Sequence, residues 1–287
     1  MMKELQLKYP VPLMSQIMSV SASGYYARVN RPPSKHDQEE IRLKLEIKAA
    51  DTRTRQTYGP ERLQCELAKH NIKVGICRIK RIRIELGIRC IQNRKFKATT
   101  YSNHNLPVAE NLLNQQFKVS EPNQVWLTDI TYVPTDEGWL YLAGHKDLFT
   151  SEIVGYAMGE RMTKNLVSQS LFRAVAAKRP AKGLTHHSDR GSQYCSYEYR
   201  YLLEQFGMKP SMSRKGNCFD NAPMESFWGM LKQELIYHCH FITRHEAVQA
   251  ITEYIEIFYN RQRLQAKLRF LSPAAYTQKY YAGALVT

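Results

Sequence analysis

QVWLTDITYVP, residues 124–134, has the two-residue period of a half-buried β-strand. Trp126, Thr128, Ile130 and Tyr132 fall on one side, and Val125, Leu127, Asp129 and Thr131 on the other. Asp129 does not suit this setting. Strand interiors disfavour Asp, and a buried carboxylate without a partner is costly. The hydroxyls of Thr128 and Thr131 are its nearest source of hydrogen bonds; a bound cation is the other remedy.

Outward from this strand, GWLYLAGHKDLF (138–149) and EIVGYAMGE (152–160) read as two more strands. TKNLVSQSLFRAVAAK (163–178) reads as a long amphipathic helix, LTHHSD (184–189) as a short strand, YEYRYLLEQFG (197–207) as a helix and KPSMS (209–213) as a short strand. Three strands followed by helix, strand, helix, strand, helix predict a mixed α/β domain.

Two further acids stand at element edges. Asp189 ends LTHHSD, before a Gly191 that permits a sharp turn into a helix. Acids at the carboxyl end of a strand in α/β sheets face a ligand crevice, although capping the next helix is the ordinary role. Glu225 lies in GNCFDNAPMESFWGMLKQEL (216–235), just after Pro223 in the first turn of a helix, where a carboxylate relieves the helix dipole. Met224, Phe227, Trp228, Leu231 and Leu235 make that helix's apolar stripe. Glu225, Gly229 and Lys232 align on an adjoining face at i, i+4 and i+7. Converging carboxylates hold hard divalent cations, and a pair of such ions serves in-line displacement at phosphorus.

Charge locates a partner. The net charge is +15, and residues 1–100 hold 21 Lys and Arg against 9 Asp and Glu, leaving 20 against 17 for the rest. A front third this basic faces a polyanion, nucleic acid being the commonest. Residues 9–34 read as a small helical unit broken at Ser21, Ser23 and Gly24 and closed by Pro32 and Pro33. A helical pattern then carries Ile41, Leu45 and Ile47; the Gly59–Pro60 step starts the next helix, and NIKVG turns into ICRIKRIRIELGI (76–88). Its apolar side is read as Ile76, Ile79, Ile82, Ile84 and Leu86, with Arg78, Lys80, Arg81 and Arg83 elsewhere. Two short helices across a tight turn, the second rich in arginine, form a helix-turn-helix pattern. Residues 98–122 read as a polar linker.

The six cysteines lack paired spacing, so they read as free thiols, and the adjacent residues of His238-Cys239-His240 do not all point one way. No run approaches the roughly 20 apolar residues of a membrane span, and the N-terminus lacks the apolar core of a signal peptide. A cytoplasmic protein is expected.

LTDITYV (127–133), HSDRGSQY (187–194) and RKGNCFDNAPMESFWGMLKQEL (214–235) closely resemble the signature of bacterial insertion-sequence transposases of the retroviral-integrase-like DDE type. The resemblance is to the family encoded in two overlapping frames, whose second frame supplies the catalytic part. The 35 residues between Asp189 and Glu225 match that family's D-35-E interval.

The resemblance implies an RNase-H-like, integrase-like α/β catalytic core at about 123–280, with C-terminal helices. Ahead of it come an all-α helix-turn-helix DNA-binding region at 35–97, a linker at 98–122 and a small N-terminal helical segment at 1–34. It implies Asp129, Asp189 and Glu225 as the catalytic and metal-binding triad, holding two Mg²⁺ ions per site, with Mn²⁺ as a substitute. Lys232 matches a basic residue that approaches the element's terminal nucleotides. Arg214 and Lys215, with Gly216, and Arg78, Arg81 and Arg62 are the further DNA contacts expected. The implied reaction is cleavage at the element's ends followed by strand transfer, on terminal inverted repeats and target DNA. A homo-oligomer on DNA is expected, with the first-frame product as a fusion or a separate chain, no membrane, and a nucleoid-associated location.

Two positions depart from the family pattern: Gln265 stands where the family often has His, and Arg269 where it has Gly. A Gly there suggests positive φ, which would strain Arg269 by roughly 1 kcal/mol or more. Besides an active transposase, a non-enzymatic DNA-binding regulator or decayed copy and a host nuclease on the same core fit parts of the pattern. Strand-transfer activity separates the three.

Overall fold

In the computed structural model the described residues are 2–5, 7–90, 107–215 and 217–283. The expected linker stretch 98–106, the end of the helix-turn-helix region at 91–97, and Gly216 lie outside them. Three short helices come first: α1 (Met2–Leu5), α2 (Val11–Ile17) and α3 (Ala22–Val29). Ser23 and Gly24 do not break the chain as expected. The break is at Ser21, whose hydroxyl caps α3 by accepting the Gly24 N–H at 3.0 Å, which draws both residues into the helix.

A reciprocal cap between Ser34 and Asp37 starts α4 (Lys35–Arg53), and Pro60 opens α5 (Pro60–Lys69); α6 (Ile76–Glu85) completes the unit. Its core is Leu43, Ile47, Ala50, Tyr58, Leu63, Leu67, Ile79 and Ile82, joined by Leu264 from the far end of the chain. The buried stripe of α4 therefore runs through 43, 47 and 50, while Ile41 and Leu45 are exposed. Two residues along a helix is about 200° of rotation, which puts both on the opposite side. Ile84 is displaced in the same way, two positions past Ile82 and 82% exposed, and the stem of Arg83 turns inward instead.

The second domain is built on one five-stranded sheet of order β3-β2-β1-β4-β5. Strands β1 (Val125–Thr135), β2 (Gly138–Asp147) and β3 (Ile153–Gly159) pair antiparallel. β4 (Thr185–Ser188) runs parallel to β1, and β5 (Lys209–Met212) parallel to β4. These parallel neighbours are reached through α7 (Lys164–Lys178), α8 (Ser192–Cys195) and α9 (Tyr197–Gln205). The alternation read in β1 sorts its side chains into two cores. Val125, Leu127 and Val133 face α10 (Ala222–Glu234), α11 (Arg244–Glu253) and a π-helical continuation, Tyr254–Gln262. Trp126 faces α7 to α9. The final helix, α12 (Pro273–Tyr281), sets Tyr276 and Tyr280 against Phe149. Helices on both faces of this mixed sheet give the expected RNase-H-like α/β fold.

Close approaches depend on two glycines. A Cβ on Gly155 would lie 2.4 Å from the Ala174 nitrogen, so β3 and α7 touch backbone to backbone. At Gly144 it would meet Trp228 and Met224 at 2.9 and 3.1 Å, and its absence lets α10 lie flat on the sheet.

The described part of the expected linker is not a free spacer. Leu113 is buried in the core beside β1, Phe117 and Val119 pack on it, and the Leu112 N–H donates to Ser211 Oγ at 2.9 Å. Its spaced apolar residues, few as they are, suffice to fasten it down. Among the described residues no helix is long and apolar enough to cross a membrane, and Cys65, Cys77, Cys90, Cys195 and Cys239 are free.

Candidate active site

Asp129 sits mid-strand in β1, opposite Gly144 of β2. The expected hydroxyl partner does not serve it. Thr128 points to the other face, where its Oγ1 donates to the Gly144 carbonyl at 2.9 Å and meets the Tyr194 hydroxyl at 3.1 Å. Asp129 Oδ1 accepts instead from the N–H of Ile130 at 2.8 Å. Asp189 follows β4, whose parallel pairing with β1 brings the two carboxyl ends side by side. One of its oxygens, Oδ1, accepts the Gly191 N–H at 2.9 Å, which fixes the turn into α8. Glu225 enters from the first turn of α10, with Met224, Phe227, Trp228 and Leu231 of that helix buried beneath it. The stripe read from sequence is the stripe that packs.

The three acids feel one another. Asp129 keeps a solvent-facing edge but is densely surrounded. Burial first, then the charges of Asp189 and Glu225, raise its pKa well above the carboxylate range. Glu225 is pushed up by burial and by Asp189. The indole N–H of Trp228 lies on the Asp129 side and favours its ionised form, yet has no partner of full hydrogen-bond geometry. Among the described residues no three His, Cys, Asp or Glu side chains close into a ready-made cage. Asp189 acts on the other two acids through the field, and an all-oxygen set in which Asp129 and Glu225 resist ionisation suits a hard divalent cation.

Lys232 is 8% exposed and lies with Nζ 5.0 Å from the centre of the Tyr132 ring. Burial lowers its pKa and the Asp129 charge raises it, which places the amine within reach of the acid's field. Gly229 has open space where a Cβ would stand. Acid, gap and cation thus share one face, as the spacing predicts.

The other expected DNA contacts are placed differently. Arg214 is folded onto buried Asp220 through Nε and Nη2, so its guanidinium shapes the loop before α10. Lys215 is exposed beside it. On α6, Arg78 is paired with Glu39 and Glu40 at 3.0 Å each, and Arg81 with Glu40 at 2.6 Å. Arg62 is half-buried against the Tyr58 ring at 5.8 Å; burial first and Arg263 next lower its pKa. It stands at the seam between the domains.

Sequence reasoning missed three residues beside the site: Asp220, Asn221 and Lys146. Asp220 is fully buried and Asn221 donates to the Thr128 carbonyl at 3.1 Å. Lys146, buried in β2, donates to the Pro223 carbonyl at 2.9 Å. An Asp-Asn pair directly before a helix reads as capping, and a Lys in a strand as solvated; no local pattern separates these roles.

Models of two integrase core domains match residues 119–218 and 225–280, and a model of an HTH-like domain matches residues 36–96. The insertion element IS600 uncharacterized 31 kDa protein of Shigella sonnei is 62% identical over 271 residues, covering 94% of this chain and all of that one. Transposase InsF for insertion sequence IS3A of Escherichia coli (strain K12) is 38% identical over 279 residues, covering 96% and 97%. The HTLV-2 integrase catalytic core domain in complex with magnesium (trimeric form) aligns at 14% identity and a TM-score of 0.44, over 54% of this chain and 97% of that one. That likeness is too loose to bear on the fold. Identity along nearly the whole chain, with an HTH-like match followed by integrase-core matches, is what the sequence resemblance implies. The chain belongs to the IS3-family transposases, polynucleotidyl transferases of DNA transposition.

Proposed function

We propose that Asp129, Asp189 and Glu225 are the catalytic triad of a DDE transposase that cleaves the ends of its element and joins them to new DNA. The observation that supports this reading is the mutual influence of acids from β1, the end of β4 and α10: burial and the charges of Asp189 and Glu225 hold Asp129 well above the carboxylate range, and burial and Asp189 push Glu225 up. Mg²⁺, two ions per site with Mn²⁺ as substitute, would supply activation of the attacking oxygen and relief of charge on the leaving one. The chain's own acids would hold those ions, and Trp228 offers its N–H toward Asp129.

In each step an oxygen nucleophile forms one P–O bond as the 3′ oxygen leaves; water attacks first and the freed 3′ hydroxyl second. Lys232, fixed against Tyr132, is suited to a phosphate beside the acids. The helix-turn-helix unit of about 35–97 would bind the terminal inverted repeats, with Arg78 and Arg81 exchanging glutamates for phosphates. The catalytic unit of about 123–280 would act on the ends and on target DNA. Joining two ends calls for at least a dimer, and the first-frame product, fused or separate, would add a further DNA-binding part.

The test is Mg²⁺-dependent cleavage and strand transfer on a duplex bearing the element's end. Asp189→Ala should abolish both steps while leaving DNA binding intact; undiminished transfer by that variant would sink the assignment.

A further inference from the structure

The first turn of α10 is tied down from three directions. Asp220 accepts five hydrogen bonds: from Arg214 N, Nε and Nη2 at 2.8, 3.1 and 2.9 Å, from Asn111 Nδ2 at 2.9 Å and from Gln115 Nε2 at 2.9 Å. Asn221 Nδ2 reaches the Thr128 carbonyl, in the peptide that leads into Asp129. Lys146 Nζ holds the Pro223 carbonyl.

Each tie has a different origin. Asn111 and Gln115 belong to the segment that arrives from the helix-turn-helix unit, and Asn111 Oδ1 also accepts the N–H groups of Leu113 and Asn114, which fixes its amide. Thr128 belongs to the strand of Asp129. Glu225 follows Asn221 by four residues, a rise of about 6 Å along α10. Nothing flexible intervenes, so a displacement at residue 220 or 221 reaches Glu225 nearly undiminished. Mg²⁺ demands near-ideal octahedral geometry, and a functional constellation tolerates only about 0.5 Å of error.

We infer that Asp220 and Asn221 are positioning residues that set the separation of Glu225 from Asp129. Asn111 and Gln115 of the segment 109–117 act on that separation through their hydrogen bonds to Asp220. The inference rests on the triad reading above. It makes the metal affinity of the site depend on residues that touch neither metal nor DNA.

The experiment is Mn²⁺ binding to the full chain, followed by loss of the free-ion electron paramagnetic resonance signal, beside Mg²⁺-dependent end cleavage. Asn221→Ala should weaken Mn²⁺ binding about tenfold, as loss of a supporting hydrogen bond commonly does, and slow cleavage comparably at an unchanged half-saturating DNA concentration. Asn111→Ala with Gln115→Ala should weaken Mn²⁺ binding about threefold or more. Wild-type Mn²⁺ affinity in both variants would overturn the inference, as would a loss of cleavage explained by weaker DNA binding alone. Should Asn221→Ala fail to fold, the Asn111/Gln115 variant decides by itself, since both side chains lie towards the surface. Asp189→Ala separates the two readings. If it binds Mn²⁺ like wild type, the triad assignment fails; if it alone loses Mn²⁺, only the positioning role fails.

Discussion

Arg263 and Glu234 meet as a buried, two-pronged ion pair: Nε and Nη2 of the guanidinium donate to the carboxylate at 2.6–3.1 Å, and the side chains are 5% and 8% exposed. The Tyr254 hydroxyl donates to the same carboxylate at 2.7 Å. This pair bolts the C-terminal end of α10 to the segment after the π-helical turn. Removing one partner strands the other charge out of water, so Glu234→Ala or Arg263→Ala should each cost about 3–5 kcal/mol of unfolding free energy. Replacing both with apolar residues of similar volume should cost clearly less. Urea denaturation of the single and double variants measures the difference.

His145 and His186 lie fully buried between β2, β4, α7 and α9. Their Nε2 atoms are 3.1 Å apart, Ser170 Oγ is 2.8 Å from His145 Nδ1, and the Tyr199 hydroxyl is 3.0 Å from His186 Nε2. Burial first, and the neighbouring His187 next, push His186 down to about 3; burial and then His186 hold His145 well below the imidazole range. Unfolded imidazoles titrate near 6.5, so the unfolded chain takes up protons that the folded one refuses. The stability from these groups is complete above about 6.5 and is lost as pH falls from there, by up to about 1.4 kcal/mol per pH unit per histidine. The urea midpoint should therefore drop between pH 7 and pH 5, and His186→Gln should flatten that slope even while lowering stability at pH 7.

Arg269 adopts φ 56° and ψ 40°, the left-handed conformation that the resemblance led us to expect there, and Phe270 follows at φ 57°. The side chain is exposed and its strain is local. Arg269→Gly should raise stability by about 1 kcal/mol and leave strand transfer unchanged, as read by thermal melting beside the transfer assay.

Glu40 binds both Arg78 and Arg81 on the proposed recognition helix. At the surface of the helical unit such pairs are screened by solvent and contribute little. Glu40→Gln should therefore barely move the melting temperature, yet release two cations for phosphate. Tighter binding at low salt and a salt dependence steeper by about one to two ions are expected in a DNA titration across ionic strengths.

Much of this architecture is written locally. Alternation in 124–134 specified a strand with an acid inside it, Pro60 and Pro223 marked helix starts, and the stripe of α10 follows from side-chain periodicity alone. The resemblance added the spacing of Asp189 and Glu225. Where local pattern failed, it failed on sidedness: Ile84, read onto the apolar side, is exposed, as are Ile41 and Leu45 of the helical pattern ahead of it, because only contact with a partner helix selects among several apolar positions.

What tertiary structure alone decided is which polar groups meet. Arginines read as DNA contacts found acids: Arg78 reached Glu40, 38 residues away, and Arg214 found Asp220 within its own loop, because a guanidinium's partner is set by how the chain folds around it. Asp220 and Asn221 look like ordinary capping residues until the sheet places Thr128 beneath them and the segment from the front domain alongside. Sequence by itself determined the elements, the triad candidates and the basic front domain, since periodicity, residue type and charge act over a few positions. The separation of the acids depends on hydrogen bonds bridging about 90–110 residues, and those exist only once the chain has folded.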